Sequence, residues 1–307
     1  MPKITQYYGI TCQVPFLDVD VNIDNRLYLD PYAVRMGLGP ATFVAQANQC
    51  TKTFFDEITH CVISPVSARH RRGQELLQRF EEPRETRLGM SAAGFNGHGG
   101  ADGIGASIWD VLTTDADALV RVGVFKWIEE LPLFVHGVGE DITSDLTTRV
   151  IFEPLVDFTA EMVKLHPQLA GKTGLKQILR QVWDPLGLIW EEKLVTLPTV
   201  DGKPLLLVPK EWVRHGLTLT ASRFYDTTLL THVQLERATY TQDGKVLKTP
   251  KYRLREDDRL ARSYDTIIRI VEEAYAKSQT NLVADFKAWA KERYEATTDE
   301  QISRRAA

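Results

Sequence analysis

Cysteine is scarce. Cys12, Cys50 and Cys61 are the only thiols in 307 residues. The set is odd in number, widely spaced and without a Cys-x-x-Cys pair, which excludes a disulfide framework or a zinc ribbon as the organising device. Reduced thiols are the expectation. No apolar run approaches the length of a membrane span. The opening residues, Met1-Pro2-Lys3-Ile4-Thr5, lack the apolar core of a secretory signal. A cytoplasmic protein without a membrane segment is therefore expected. Positive charge is not in excess either: 37 Lys and Arg stand against 41 Asp and Glu, a net charge of −4. That balance argues against bulk polyanion binding while leaving room for a local basic groove. No Gly-Lys-Ser/Thr ends the stretch from Gly94 to Gly105, and Gly-x-Ser-x-Gly, His-x-x-x-His and His-Glu-x-x-His are absent, which removes a Walker loop there, the nucleophile elbow and the zincin helix from consideration. No internal repeat or low-complexity segment occurs.

Glycine, in contrast, is concentrated. Of 20 glycines, Gly94, Gly97, Gly99, Gly100, Gly103 and Gly105 fall in one stretch, and Gly137 and Gly139 in a second. Backbone takes glycine in this way where it must adopt positive φ or approach something closely. The first stretch precedes a helical pattern, so Gly97, His98, Gly99, Gly100 and Gly103 are candidates for cradling phosphate with backbone N–H groups and the helix N-terminus. Its glycine intervals do not form the ordered Gly-x-Gly-x-x-Gly fingerprint. A flexible or partner-binding loop accounts for it equally well.

Along the chain, residues 4–30 read as extended. Leu17, Val19, Val21 and Ile23 alternate with Asp18, Asp20, Asn22 and Asp24. The acidic face would suit a hard cation, or more simply a solvated edge strand. Asp30-Pro31 ends a short strand, Leu27–Leu29, expected to support the floor of the site. Ala41 to Ile63 carries a helical stripe of Phe43, Ala47, Cys50, Phe54, Ile58 and Cys61, and a second helix is expected from Ser67. Arg69, His70, Arg71 and Arg72 open that helix as a phosphate candidate or a solvated face. A helix from about Asp145 to Lys164, capped by Thr143 or Ser144, should kink or break at Pro154. The segment 166–175 marks the best boundary, giving regions 1–168 and 169–307 that could also form one continuous domain. A strand Leu188–Leu197, an Asp201-Gly202 turn and a return strand Pro204–Val208 make a 188–208 hairpin. A second hairpin surrounds Asp243-Gly244, and two helices close the chain. The fold class is α+β: mostly helical, with a mixed or antiparallel sheet.

Two constellations bear chemistry. Glu140, Asp141 and Asp145 surround Thr143 and Ser144 at a helix start, near His136. A cap needs one acid and this turn offers three, so Asp141 and Asp145, four apart, are candidate ligands for Mg²⁺ or Mn²⁺ and candidate catalytic residues. Glu191 and Lys193 share one side of a strand. An acid and a lysine two residues apart after an apolar strand start resemble the second half of the PD-(D/E)XK nuclease signature, with Asp184, Asp145 or Asp141 as the upstream acid. The resemblance implies a metal-dependent nuclease in which Glu191 and Lys193 are catalytic. The phrases Leu27-Tyr28-Leu29-Asp30-Pro31, the glycine stretch, Gly139 to Asp145 and Leu206-Leu207-Val208-Pro209-Lys210 together resemble a group of bacterial proteins of unassigned activity, which implies a role in anti-phage defence or mobile elements. The leading expectation is divalent-metal-dependent hydrolysis of a phosphodiester or nucleotide, most simply by a nuclease acting on nucleic acid. The alternative is a non-catalytic binding or assembly subunit with a protein partner.

Overall fold

A computed structural model describes residues 2–78, 82–89, 100–171 and 174–295. The N-terminal stretch is not a strand. Ile4–Tyr8 form a short helix, α1, and residues 17–24 run irregularly along the surface of the core. The alternation is real, since Leu17, Val19 and Val21 are buried, but no neighbouring strand accepts the ladder. The backbone is satisfied piecemeal, Leu17 N–H donating to Val208, Ile4 N–H to Val19 and Val21 N–H to Pro2. Strand β1 (Tyr28–Leu29) follows. Helix α2 (Pro31–Arg35) is next, capped by Asp30, whose carboxylate accepts from Tyr32 N–H.

The long helix α3 (Ala41–Ile63) has the bounds its flanking Pro40 and Pro65 impose. It packs with α4 (Ser67–Leu76). The glycine-rich stretch leads into α5 (Gly100–Thr113), then α6 (Asp117–Arg121) and α7 (Leu131–Phe134). The expected 145–164 helix is two helices, α8 (Glu140–Val150) and α9 (Phe152–Leu165). Pro154 explains the break: it has no N–H for the Val150 carbonyl, and its ring crowds that carbonyl. A short α10 (Gln168–Gly171) completes this half.

The main sheet is antiparallel in the order β2–β3–β4, with β2 (Leu175–Asp184), β3 (Ile189–Val200) and β4 (Lys203–Pro204). The expected 188–208 hairpin survives as β3, an Asp201-Gly202 turn with both residues at positive φ, and only two residues of return strand. The longer partner of β3 is β2, which pairs Leu175 with Pro198 through to Asp184 with Ile189. Leu205–Val208 are buried coil. Their N–H groups go to different segments, Leu206 to Glu85 and Leu207 to Thr159 Oγ1. β5 (Val213–Arg214) pairs with β1.

The remainder is helical, with α11 (Ala221–Phe224), a wide turn over Tyr225–Leu229, and α12 (Leu230–Glu236). A small hairpin, β6 (Thr239–Tyr240) and β7 (Val246–Leu247), leads to α13 (Lys251–Leu254). α14 (Tyr264–Ser278) and α15 (Leu282–Glu292) end the described chain, capped by Ser263 and Asn281. The fold is α+β, 54% helical and 14% strand. One hydrophobic cluster runs from Ile4 to Ala290 without a gap at residue 168. No described helix is long and apolar enough to cross a membrane.

Candidate functional site

Helix α8 is preceded by Gly139, which is in extended conformation and supplies no side-chain cap. Thr143 and Ser144 are therefore not caps but buried residues of the second turn. Ser144 has a different task, its Oγ accepting from Leu29 N–H at 2.9 Å and tying β1 to α8. Asp30 supports the same floor from the other side. It is 1% exposed, and beyond capping α2 it accepts from both the N–H and the hydroxyl of Thr218. Burial pushes its carboxyl above the usual range, opposed by those hydrogen bonds.

Both Asp141 and Asp145 are helical, one turn apart on a shared face. Asp145 is strongly perturbed. Burial first, then the carboxylates of Asp141, Glu82 and Asp24, push its carboxyl up to about 8, against the opposing pull of Arg149. Burial and the nearby Glu140 and Asp141 also raise the Tyr28 phenol. Gly89 lies against Asp141 so closely that a Cβ there would stand 2.8 Å from its Oδ1. The chain thus passes over Asp141 immediately before the glycine-rich stretch.

Asp24 and Glu82 also line a cleft of about 770 Å³, together with Arg84, Arg87, Arg180 and Lys203. Asn25 braces the cleft from behind its lining residues. Its buried side-chain amide donates to the carbonyls of Asp20, Ile23 and Arg87, fixing the 82–89 turn against the 20–25 loop. Arg87 adopts φ 60° and donates from Nε to Val21 O. Burial lowers its guanidinium pKa, against the opposing pull of Asp24 and Glu85. Glu85, 5% exposed, stands between two arginines. Arg180 Nε is 2.5 Å from Oε1, and Arg149 Nη2 is 3.8 Å from Oε2, within ion-pair reach but beyond hydrogen-bond length. Arg84 pairs with Glu82 at 3.0 Å. The cleft is lined by both arginines and carboxylates, and the charges of its Asp24 and Glu82 reach Asp145.

The other expected residues are distributed differently. Lys193 lies 2.9 Å from Glu153 on α9 and 3.6 Å from Glu191. The hydrogen bond it donates to Glu153 raises its pKa. The charges acting on Asp145 include neither Glu191 nor Lys193, so these two form a separate cluster. Asp184 accepts from the N–H groups of Leu186 and Gly187 and closes the β2–β3 turn. His136 packs edge-on against Tyr264. Arg69 and Arg72 are ion-paired to the buried Glu57, so the basic cluster braces α4 on α3. Gly97, His98 and Gly99 lie outside the described residues. Gly100 opens α5, and Gly103 faces open space within it. Sequence reasoning missed Glu82, Glu85, Arg84, Arg87 and Arg180. Their contributions come from a turn and a strand brought together by long-range contacts, with no local signature.

Among the described residues, no three His, Cys, Asp or Glu side chains come together as a metal-holding group. The pair Asp141 and Asp145, one helical turn apart and within charge range of the cleft carboxylates Asp24 and Glu82, fits the way Mg²⁺ is commonly held, by one or two carboxylates with water and substrate phosphate supplying the rest.

A family model described as a domain of unknown function, DUF8370, matches residues 10–220. The chain belongs to the DUF8370 family. The matched span contains the whole cleft, from Val21 to Pro204, together with Asp141 and Asp145. The small β6–β7 hairpin, α14 and α15 lie beyond the DUF8370 match. No curated protein and no solved structure matches the chain.

Proposed function

We propose that the cleft hydrolyses a phosphodiester or nucleotide with a divalent cation, Mg²⁺ or Mn²⁺, and that a nucleic acid is its substrate. One observation carries this reading: the half-buried Asp145 feels the charges of three other carboxylates, two of which, Asp24 and Glu82, line an arginine-rich cleft. Like charges gathered in a poorly solvated place repel one another, and a cation removes that cost. Asp141 and Asp145 would hold the ion, which when bound polarises a phosphoryl oxygen and lowers the pKa of water. Arg84, Arg87 and Arg180 suit the phosphate, since guanidinium groups match its oxygens in pairs. Arg84 and Arg180 already face carboxylates, so a phosphate would exchange with Glu82 or Glu85 rather than meet bare charge. Glu191 and Lys193 are left out of the proposed machinery because they hold one another and Glu153.

A non-catalytic assembly subunit is the second reading. It accounts for Leu179 and Leu194, cross-strand neighbours that are 53% and 63% exposed, but not for Asp145. The test is incubation of the purified chain with single-stranded and duplex DNA, RNA and nucleoside triphosphates, with Mg²⁺, with Mn²⁺ and with chelator. Cation-dependent cleavage of one substrate, lost in Arg180→Ala and in Asp141→Asn, is the expected result. Absence of cleavage across all of them would leave the assembly reading ahead.

A further inference from the structure

The chain is acidic as a whole, yet its charge is not uniform. Between residues 237 and 255, Arg237, Lys245, Lys248, Lys251, Arg253 and Arg255 stand against one acid, Asp243. Three of these cations have protein partners. Arg237 pairs with Asp257, Arg255 with Asp226, and Lys251 donates to the Asp226 carbonyl. Lys245, Lys248 and Arg253 are exposed, and no ion pair of theirs is recorded among the described residues. Tyr240 and Tyr252 lie in the same stretch, 73% and 59% exposed. Tyr240 faces Val246 across the β6–β7 ladder. Gln234 Nε2 donates to Thr249 O at 2.7 Å, so α12, the hairpin and α13 are held as one element.

We infer that this element, outside the span shared with the family, is a docking surface for single-stranded nucleic acid. Exposed aromatic rings interleaved with unpaired cations supply the two interactions such a strand needs. Bases stack on the phenol faces, and the backbone phosphates meet the ammonium and guanidinium groups. A duplex hides its base faces and would use only the charges. A membrane-inserting hairpin would carry its apolar side chains at the tip, whereas this tip is Thr241-Gln242-Asp243-Gly244. The inference goes beyond the hydrolytic reading and does not require it.

The test is fluorescence anisotropy of the full chain with labelled 20-nucleotide oligo-dT and oligo-U, in chelator so that no turnover occurs. A duplex of equal length and anionic phosphatidylserine vesicles serve as competitors. The single strands are expected to bind with affinity that falls as salt rises. Tyr240→Ala with Tyr252→Ala should weaken binding about tenfold or more while leaving the salt dependence unchanged. Tyr240→Phe with Tyr252→Phe should retain it. Lys245→Glu with Lys248→Glu should weaken binding and flatten the salt dependence. All four positions are exposed, and thermal unfolding confirms that each variant is folded. No binding, equal preference for duplex, displacement by vesicles alone, or tyrosine variants that bind like the parent would each overturn the inference.

Discussion

At the scale of single residues, Asp145 makes the clearest prediction. An unfolded aspartate titrates near 4, and the folded carboxyl is pushed up to about 8. Between those values the folded state holds a proton that the unfolded chain releases. Stability is thus fully present below the unfolded pKa and falls as pH rises toward 8. Melting temperatures measured from pH 5 to pH 8.5 should decline for the parent chain, and the decline should be markedly smaller for Asp145→Asn, which cannot ionise. Equal slopes would show that the carboxyl is not buried as described. Glu85 gives a second prediction. Removing its carboxylate takes one ion-pair partner from Arg149, which is 6% exposed and keeps its hydrogen bond to the Glu82 carbonyl, and the carboxylate partner of Arg180, so Glu85→Ala should cost up to about 3 kcal/mol in urea unfolding. The partial exposure of Arg180 tempers that figure. The acids of α8 were legible in the sequence because a helix start offers three carboxylates where a cap uses one. Glu85 was not legible, because its importance comes from partners far along the chain, at 149 and 180.

At the scale of elements, the glycines divide into two kinds that sequence alone does not separate. A Cβ on Gly105 would meet the Leu77 carbonyl oxygen at 1.9 Å, whereas one on Gly103 would meet nothing within 4 Å. Gly105→Ala should therefore destabilise by about 1–3 kcal/mol through overpacking. Gly103→Ala should stabilise by up to about 1 kcal/mol through helix propensity. Thermal unfolding of the two variants checks both signs, and a neutral Gly105→Ala would show that α5 does not press on the 77 carbonyl. Helix α3 was readable to the residue because prolines bracket an uninterrupted apolar stripe. Strand β2 was not readable because its faces are inverted relative to simple patterning. Arg180 turns toward Glu85 while Leu175 and Leu179 are exposed, so no polar–apolar alternation announces it. The 17–24 alternation misled for the converse reason. Burial of every second side chain requires only an extended path along a core, not a neighbouring strand.

At the scale of the whole molecule, the two ends of the chain close on each other. Lys287 of α15 reaches the buried Glu129 and Glu130 at 2.9 and 2.8 Å, and Tyr32 donates its hydroxyl proton to the Lys287 carbonyl. Residues 1–220 expressed alone would leave those two carboxylates without the lysine and would strip helices from a continuous core. That fragment should lack a cooperative thermal transition by circular dichroism, and a sharp transition would show an independent domain. The same long-range assembly forms the cleft between the 21–24 loop, the 82–87 turn and the β2–β4 sheet, with α8 packed against β2 beside it. The central claim is that this meeting point holds a divalent cation on Asp141 and Asp145. Calorimetric titration of Mn²⁺ into the full chain at pH 8 tests it most directly, since a proton competes for Asp145 at lower pH. The account predicts saturable binding in the parent chain that weakens at pH 5.5 and is lost in a folded Asp145→Asn variant. Absence of binding at pH 8, or equal binding in the variant, would contradict it.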